Sequence, residues 1–292
     1  MKKHRFDAKK FRVKEGESIH LSKRSTKAGQ EFNQKEEGLE ALRHDNALLQ
    51  LAQAKLFASG RRSLLVILQG MDAAGKDGTI RHVMSGVNPQ GCRIFSFRAP
   101  NSEEVLHHFL WRPMRFLPER GMLTIFNRSY YEEVMVVRVH PEFLTPQRLP
   151  PYKKLSEVWK RRYNEILAFE KTLVTGGTSV LKFFLHVSKE EQKARLLERL
   201  MDKEKRWKFN ERDLDERNLW DDYQKAIEDA LEATSTKQAP WFIIPADDKW
   251  YARAAIADII AGHLESLDLE FPKVSNEDET IYANLIERLK NE

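Results

Sequence analysis

Ser63 to Thr79 reads SLLVILQGMDAAGKDGT, and the rest of the chain is best understood outward from it. Ser63 to Gln69 is a short apolar run closed by Gly70, the pattern of a strand buried on both faces in a parallel sheet. Gly70 and Gly75-Lys76 then stand at P-loop spacing, directly after that strand and at the opening of a helical pattern. Glycines let backbone N–H groups curl around phosphate oxygens. A helix N-terminus adds partial positive charge, and the lysine neutralises terminal phosphates. Gly70, Ala73, Ala74, Gly75 and Asp77 are therefore candidate phosphate-binding positions, with Lys76 as the catalytic cation. The plainer alternative is a strand-to-helix turn whose glycines serve backbone geometry alone.

One position departs from the motif. Asp77 follows Lys76, where a Ser or Thr would supply the hydroxyl that coordinates Mg²⁺. Magnesium takes oxygen ligands, so another oxygen must replace it. Asp72, inside the loop, is the favoured metal carboxylate. Asp77 is the second choice, because a carboxylate in a first helical turn is already explained by the helix dipole.

Further short apolar runs at Arg93–Phe97, Met122–Phe126, Val180–Leu185 and Trp241–Pro245 predict four more strands. Helical patterns lie between them: Lys76–Ser85, Ser102–Leu117 (interrupted by Pro113), Tyr130–Arg138, Tyr152–Val174, Lys189–Leu200, Leu214–Ala233 and Tyr251–Leu267. Alternating strands and helices imply an α/β fold with a mostly parallel sheet. Before the first strand, Leu39, Leu42, Leu49, Ala52 and Leu56 mark an amphipathic helix stopped by Gly60. Residues 1–34 read as a basic extended arm, residues 35–270 as one large domain and residues 271–292 as a tail or helix. Pro141 to Pro151 carries four prolines but reads as a connection within the domain, because later strands complete the sheet.

The third predicted strand runs into Asn127-Arg128-Ser129-Tyr130-Tyr131-Glu132. Ligands of open α/β sheets gather at the carboxyl ends of the strands, so this segment is expected to face the P-loop. Asn127 occupies a place where an aspartate would be usual; it can offer a carbonyl oxygen to metal-bound water, without charge. Arg128, a permanently protonated multi-donor fork, suits a transferring phosphoryl group, although an ion pair with Glu132 four residues on is the competing reading. Between residues 188 and 212, Arg195, Arg199 and Lys203 share a helical face, and Lys205-Arg206-Trp207-Lys208-Phe209 follows. Interleaved acids allow a solvated salt-bridged helix; a phosphate loop upstream favours a lid that brings cations over the phosphates.

The composition sets outer bounds. Of 292 residues, 41% are hydrophobic and 32% charged, enough for a large core. The net charge of +5 is far below that of a nucleic-acid-coating protein but suits an anionic partner if concentrated. The single cysteine, Cys92, excludes an internal disulfide and a Cys-built zinc site. No run spans a bilayer and no signal peptide is evident, so a cytoplasmic protein without membrane or nucleic-acid partners is expected.

GMDAAGKDGTI, FNRSYYEEVMVVRVHPE and RLMDKEKRWKFN, in that order, resemble the polyphosphate kinase 2 family over about Lys35 to Leu267. The resemblance implies a thymidylate-kinase-like P-loop fold and Mg²⁺-dependent (or Mn²⁺-dependent) transfer between inorganic polyphosphate and nucleotides. By motif, Asp72 and Lys76 match the family's Walker A aspartate and lysine, Arg128 its Walker B arginine, and Arg195 or Arg199 its lid arginine. Asn127 and Glu132 depart from the commoner DRSWYNR form and resemble the family's third class, which phosphorylates AMP and ADP. Expectation therefore places Asp72, Lys76, Asn127 and Arg128 in catalysis, Arg195, Arg199, Lys205 and Lys208 on polyphosphate, and Glu132 and Arg98 at the acceptor nucleotide, in a homo-oligomer. The competing expectations are an ATP-dependent nucleoside monophosphate kinase and a nucleic-acid-binding P-loop ATPase.

Overall fold

The computed structural model describes residues 4–292, apart from the side chains of Lys208, Asn276 and Glu277. Its five strands are β1 (Ser63–Gly70), β2 (Cys92–Ser96), β3 (Leu123–Asn127), β4 (Thr178–His186) and β5 (Trp241–Pro245). All pair in parallel, in the order β2-β3-β1-β4-β5. The helices are α1 (Ala8–Phe11), α2 (Lys35–Ser59), α3 (Lys76–Val83), α4 (Trp111–Met114), α5 (Glu132–Val139), α6 (Leu155–Thr175), α7 (Lys189–Met201), α8 (Arg212–Asn218), α9 (Trp220–Thr234), α10 (Lys249–Glu265) and α11 (Asn276–Lys290).

β1 lies at the centre and is buried along its whole length except at Gly70, as its unbroken apolar run requires. The sheet is flanked by helices in two groups: α2 and α3 pack with α10, and α5 and α6 pack with α9. The chain order reverses on either side of β1, with β3 on one flank and β4 on the other. Such a switch point opens a crevice at the carboxyl ends of the strands, which is where the P-loop emerges.

Two helical expectations change. Ser102–Leu117 is not one helix: a 3₁₀ turn at Glu104–Leu106 and the single turn α4 replace it. The Asn101 side chain accepts hydrogen bonds from the N–H groups of Glu103 and Glu104 and holds a turn there, and Pro113 removes an interior donor. The expected helix Leu214–Ala233 breaks at Leu219 into α8 and α9.

The N-terminal segment runs extended but is tied to the body. Phe6, Phe11, Val13, Ile19, Leu21 and Phe32 are buried in the main core. The Val13 N–H donates to the Trp241 carbonyl (2.9 Å), and Arg12 bridges Phe242 in antiparallel sense, so the segment covers the outer edge of β5. Its basic composition hid these apolar residues because they follow no regular period.

Candidate active site

Gly75, with φ +103°, is the N-cap of α3, a backbone conformation that favours glycine. Gly70 is held by close approach instead: a Cβ there would sit 3.1 Å from the Leu185 carbonyl oxygen and 3.0 Å from the Ala74 Cβ. Between them Ala73 adopts φ +60°, so the loop curls as a phosphate cradle must. Lys76 folds back into this curl, its Nζ donating to the carbonyls of Gly70 (2.5 Å) and Met71 (3.1 Å). Burial, and next the Arg128 guanidinium, lower its pKa to about 8.

The end of β3 faces the loop. Asn127 Nδ2 donates to Asp77 (2.8 Å) and to the Ser96 hydroxyl (3.3 Å), joining the tips of β3, β2 and α3. Its Oδ1 is buried and, among the described residues, has no hydrogen-bond partner. Arg128, at φ +62°, turns its guanidinium onto Asp72 (2.7 Å) and Glu132 (3.4 Å). The ion pair with Glu132 is present, and it does not draw the arginine away from the P-loop. Glu132 first, then Asp72, hold its pKa above the ordinary arginine value despite burial.

α7 treats its two candidate arginines differently. The Arg195 fork donates to the carbonyls of Ala73 (3.2 Å), Ala74 (2.9 Å), Ala246 (2.5 Å) and Asp247 (2.9 Å), and its Nε to Glu191 (2.7 Å). All five donors are engaged in a buried clamp behind the loop, which sets Arg195 apart from the partly exposed cations expected on polyphosphate. Gln192 adds a bond to the Asp72 carbonyl (3.1 Å), so the base of the expected lid is fastened to the P-loop. Arg199, one turn on, remains partly exposed and meets Asp213 at 3.5 Å. Lys205 stands at the exposed tip, where its partners among the described residues are Asp202 (2.8 Å) and Glu198 (3.4 Å) and not the P-loop. The side chain of Lys208 lies outside the described residues.

Beside Arg128 a cavity of about 170 Å³ opens between the segment that follows β2 (residues 97–113) and α5. Arg98, Glu132, Arg112, Glu104 and Phe109 line it, so the two acceptor candidates Arg98 and Glu132 do share one space. Phe109 is half-buried and forms part of the wall. Arg112 and Glu104 were missed because they fell within an expected regular helix; they pair at 3.3 Å across its break. Asp213 was also missed. It faces Arg199 at 3.5 Å, and burial, then the Asp72 charge, raise its pKa.

The donor set suits a magnesium ion held partly by substrate. Among the described residues no three His, Cys, Asp or Glu side chains converge into a ready-made metal cage. Magnesium commonly relies on one or two carboxylates plus phosphates and water. Asp72 at the loop and the orphaned Asn127 oxygen beside Asp77 are the groups that fit it.

Comparison with known proteins agrees with this geometry. The family model described as "Polyphosphate kinase 2 (PPK2)" matches residues 32–272. An "ADP-polyphosphate phosphotransferase" of Rhodopseudomonas palustris is 48% identical over 91% of this chain and 93% of its own length. An "AMP/ADP-polyphosphate phosphotransferase" of Meiothermus ruber is 47% identical over 85% of this chain and 88% of its own. The crystal structure of polyphosphate kinase 2 from Arthrobacter aurescens TC1 superposes with a TM-score of 0.88 at 38% identity, covering 97% of this chain and 98% of that one. Likeness that runs over nearly the whole length, and not the P-loop alone, means that the chain belongs to the polyphosphate kinase 2 family.

Proposed function

We propose that the protein transfers phosphoryl groups reversibly between inorganic polyphosphate and adenine nucleotides, phosphorylating AMP to ADP and ADP to ATP. The observation that carries this reading is the single space in which a P-loop lysine, Arg128 and Asp72 meet a cavity lined by Arg98 and Glu132. The names of the relatives from Rhodopseudomonas palustris and Meiothermus ruber support polyphosphate as donor and AMP and ADP as acceptors, as in the family's third class.

In this reading a terminal phosphate oxygen of the acceptor attacks the end phosphorus of polyphosphate. The anhydride bond to the rest of the chain breaks, and the leaving polyphosphate is one unit shorter. Lys76 and the P-loop N–H groups hold the phosphates, while Arg128 exchanges its carboxylate partners for the equatorial oxygens as charge builds there. Arg199 meets the polyphosphate. Magnesium, held at Asp72 and by water on Asn127 Oδ1, would neutralise charge shared between the phosphates.

The test mixes nucleotide, Mg²⁺ and polyphosphate without ATP and separates the products. ADP from AMP and ATP from ADP are expected; turnover only with ATP as donor would overturn the reading. Glu132→Asn is expected to lower kcat/KM for AMP more than for ADP, because the site must fill the space of AMP's absent phosphate with solvent or metal ligands that a carboxylate can hold. An unchanged AMP:ADP ratio would remove Glu132 from acceptor choice. A cytoplasmic place is supported by the lone, half-buried Cys92, and no described helix is long and apolar enough to cross a membrane. Self-association is supported by α11, whose Ile281, Leu285 and Leu289 lie exposed along one side.

A further inference from the structure

Lys182 interrupts the apolar run of β4 and is completely buried in the sheet. Its Nζ donates to Glu170 of α6 (2.5 Å), to the Thr234 carbonyl at the end of α9 (2.8 Å) and to the Tyr131 hydroxyl (3.0 Å). The other Glu170 oxygen accepts from the hydroxyls of Tyr130 (2.8 Å) and Tyr131 (2.7 Å). Every polar group of this cluster has a partner. Burial and the Glu170 charge push both phenols well above their ordinary pKa, so they remain donors.

An isolated buried ion pair is a poor way to stabilise a core, because desolvating both charges offsets most of their attraction, and apolar residues of like volume often serve as well or better. What this pair holds is informative. Tyr130 and Tyr131 follow Arg128 and Ser129 immediately, and the Tyr131 N–H donates to the Ser129 hydroxyl (3.1 Å). Upstream, the Arg128 N–H is fixed to the Leu68 carbonyl of β1 (3.0 Å). Arg128 thus spans two anchors, one on β1 and one on the buried cluster, with its backbone at φ +62°, where a side chain is disfavoured. Strained backbone persists only when its surroundings over-determine it.

We infer that the buried Lys182–Glu170 pair, acting through the hydroxyls of Tyr130 and Tyr131, holds Arg128 in its left-handed conformation and aims its guanidinium at the P-loop. Lys182 and Glu170 are positioning residues: they touch no substrate. This role rests on the phosphoryl transfer proposed above. Without the cluster, Arg128 relaxes and its fork leaves Asp72, so the transition state loses a cation that ground-state binding does not need.

The test separates positioning from stability. Replacing the cluster by apolar residues of similar size (Lys182→Met, Glu170→Leu, Tyr130→Phe, Tyr131→Phe together) leaves no charge or side-chain hydroxyl of the cluster unpaired and frees only the Thr234 carbonyl, so the protein is expected to stay folded and to melt close to wild type. Its kcat is expected to fall about 100-fold, the scale of a misplacement near 1 Å, with KM for ADP nearly constant. A well-folded variant with wild-type kcat overturns the inference. Should the fourfold variant fail to fold, Tyr130→Phe with Tyr131→Phe keeps the ion pair, and a fall in kcat of about tenfold is expected; wild-type kcat there overturns it equally. A crystal structure of whichever variant folds gives a readout independent of turnover. Arg128 is expected at negative φ and away from Asp72, and retention of the 2.7 Å contact would sink the inference. Wild-type protein that shows no polyphosphate-dependent turnover would refute the proposed function instead, and the variant's structure would still decide the positioning role.

Discussion

The P-loop wall and the tip beyond α7 carry comparable numbers of cations, yet they differ in kind. At the wall, Lys76, Arg128 and Arg195 are each held by named backbone or carboxylate oxygens, and Lys76 and Arg195 are buried. At the tip, Lys205 is half exposed and its partners are acidic side chains that are themselves open to solvent. Preorganised charge in a dry site acts strongly on a developing anion, whereas solvated charge is screened within about 8–10 Å near physiological ionic strength. Cation density along the chain therefore says where attraction begins, and burial says where chemistry is done.

The largest effect expected from this contrast is at Lys76. Lys76→Met should lower kcat by about a thousandfold or more, measured with polyphosphate and ADP. The same variant should melt no lower than wild type, because holding Lys76 at a pKa of about 8, down from 10.5, costs about 3 kcal/mol at neutral pH. A variant that keeps a tenth of the wild-type rate would undo the contrast.

Second come the two arginines of α7. Arg195→Met strands four backbone carbonyls and should destabilise by about 3 kcal/mol, roughly 6–12 °C in Tm. Arg199→Ala should alter stability by less than about 1 kcal/mol while raising KM for polyphosphate about tenfold. Thermal melts beside steady-state kinetics check both, and a reversal of the two patterns would exchange their roles.

Third, pH distinguishes the buried lysine from the exposed ones. With a pKa of about 8 in the free protein, Lys76 loses its charge as pH rises through that value, so kcat/KM should fall about tenfold per unit above it. Stability should move the opposite way. The unfolded chain binds this proton more tightly, so stability rises with pH between about 8 and 10.5, a rise that Lys76→Met should lack. A pH profile flat to 10 would place the lysine in water. The smallest effect is expected at the tip: Lys205→Ala should change kcat/KM for polyphosphate by about twofold or less, and the difference should vanish in added salt.

Most of the sheet was readable because parallel strands are buried on both faces. The apolar runs of β1, β3, β4 and β5 therefore announced themselves, with ends shifted by a residue or two. The P-loop was readable because glycine and lysine spacing reports backbone geometry directly. Residues 102–117 were not, since the Asn101 capping bonds and the cavity contacts of Arg112 override local helical preference. Arg195 and Arg199 sit at equivalent places in the pattern, and only the position of the P-loop carbonyls separates them. Lys182 left one trace that could have been followed: a lone lysine within the apolar run Val180–Leu185 has to find an acid in the core.

The strap formed by residues 4–34 has a consequence for how the chain is made. The backbone bond between Val13 and Trp241 joins a segment that is synthesised before every strand of the sheet to the strand that comes last in chain order. Until β5 exists, Phe6, Phe11, Val13 and Leu21 have no surface to cover, and until they dock, the outer edge of β5 offers unpaired N–H and C=O groups to any neighbour. Docking of this strap on β5 is thus a late event in biogenesis, and the interval before it is when newly made copies are most prone to cross-pair and aggregate.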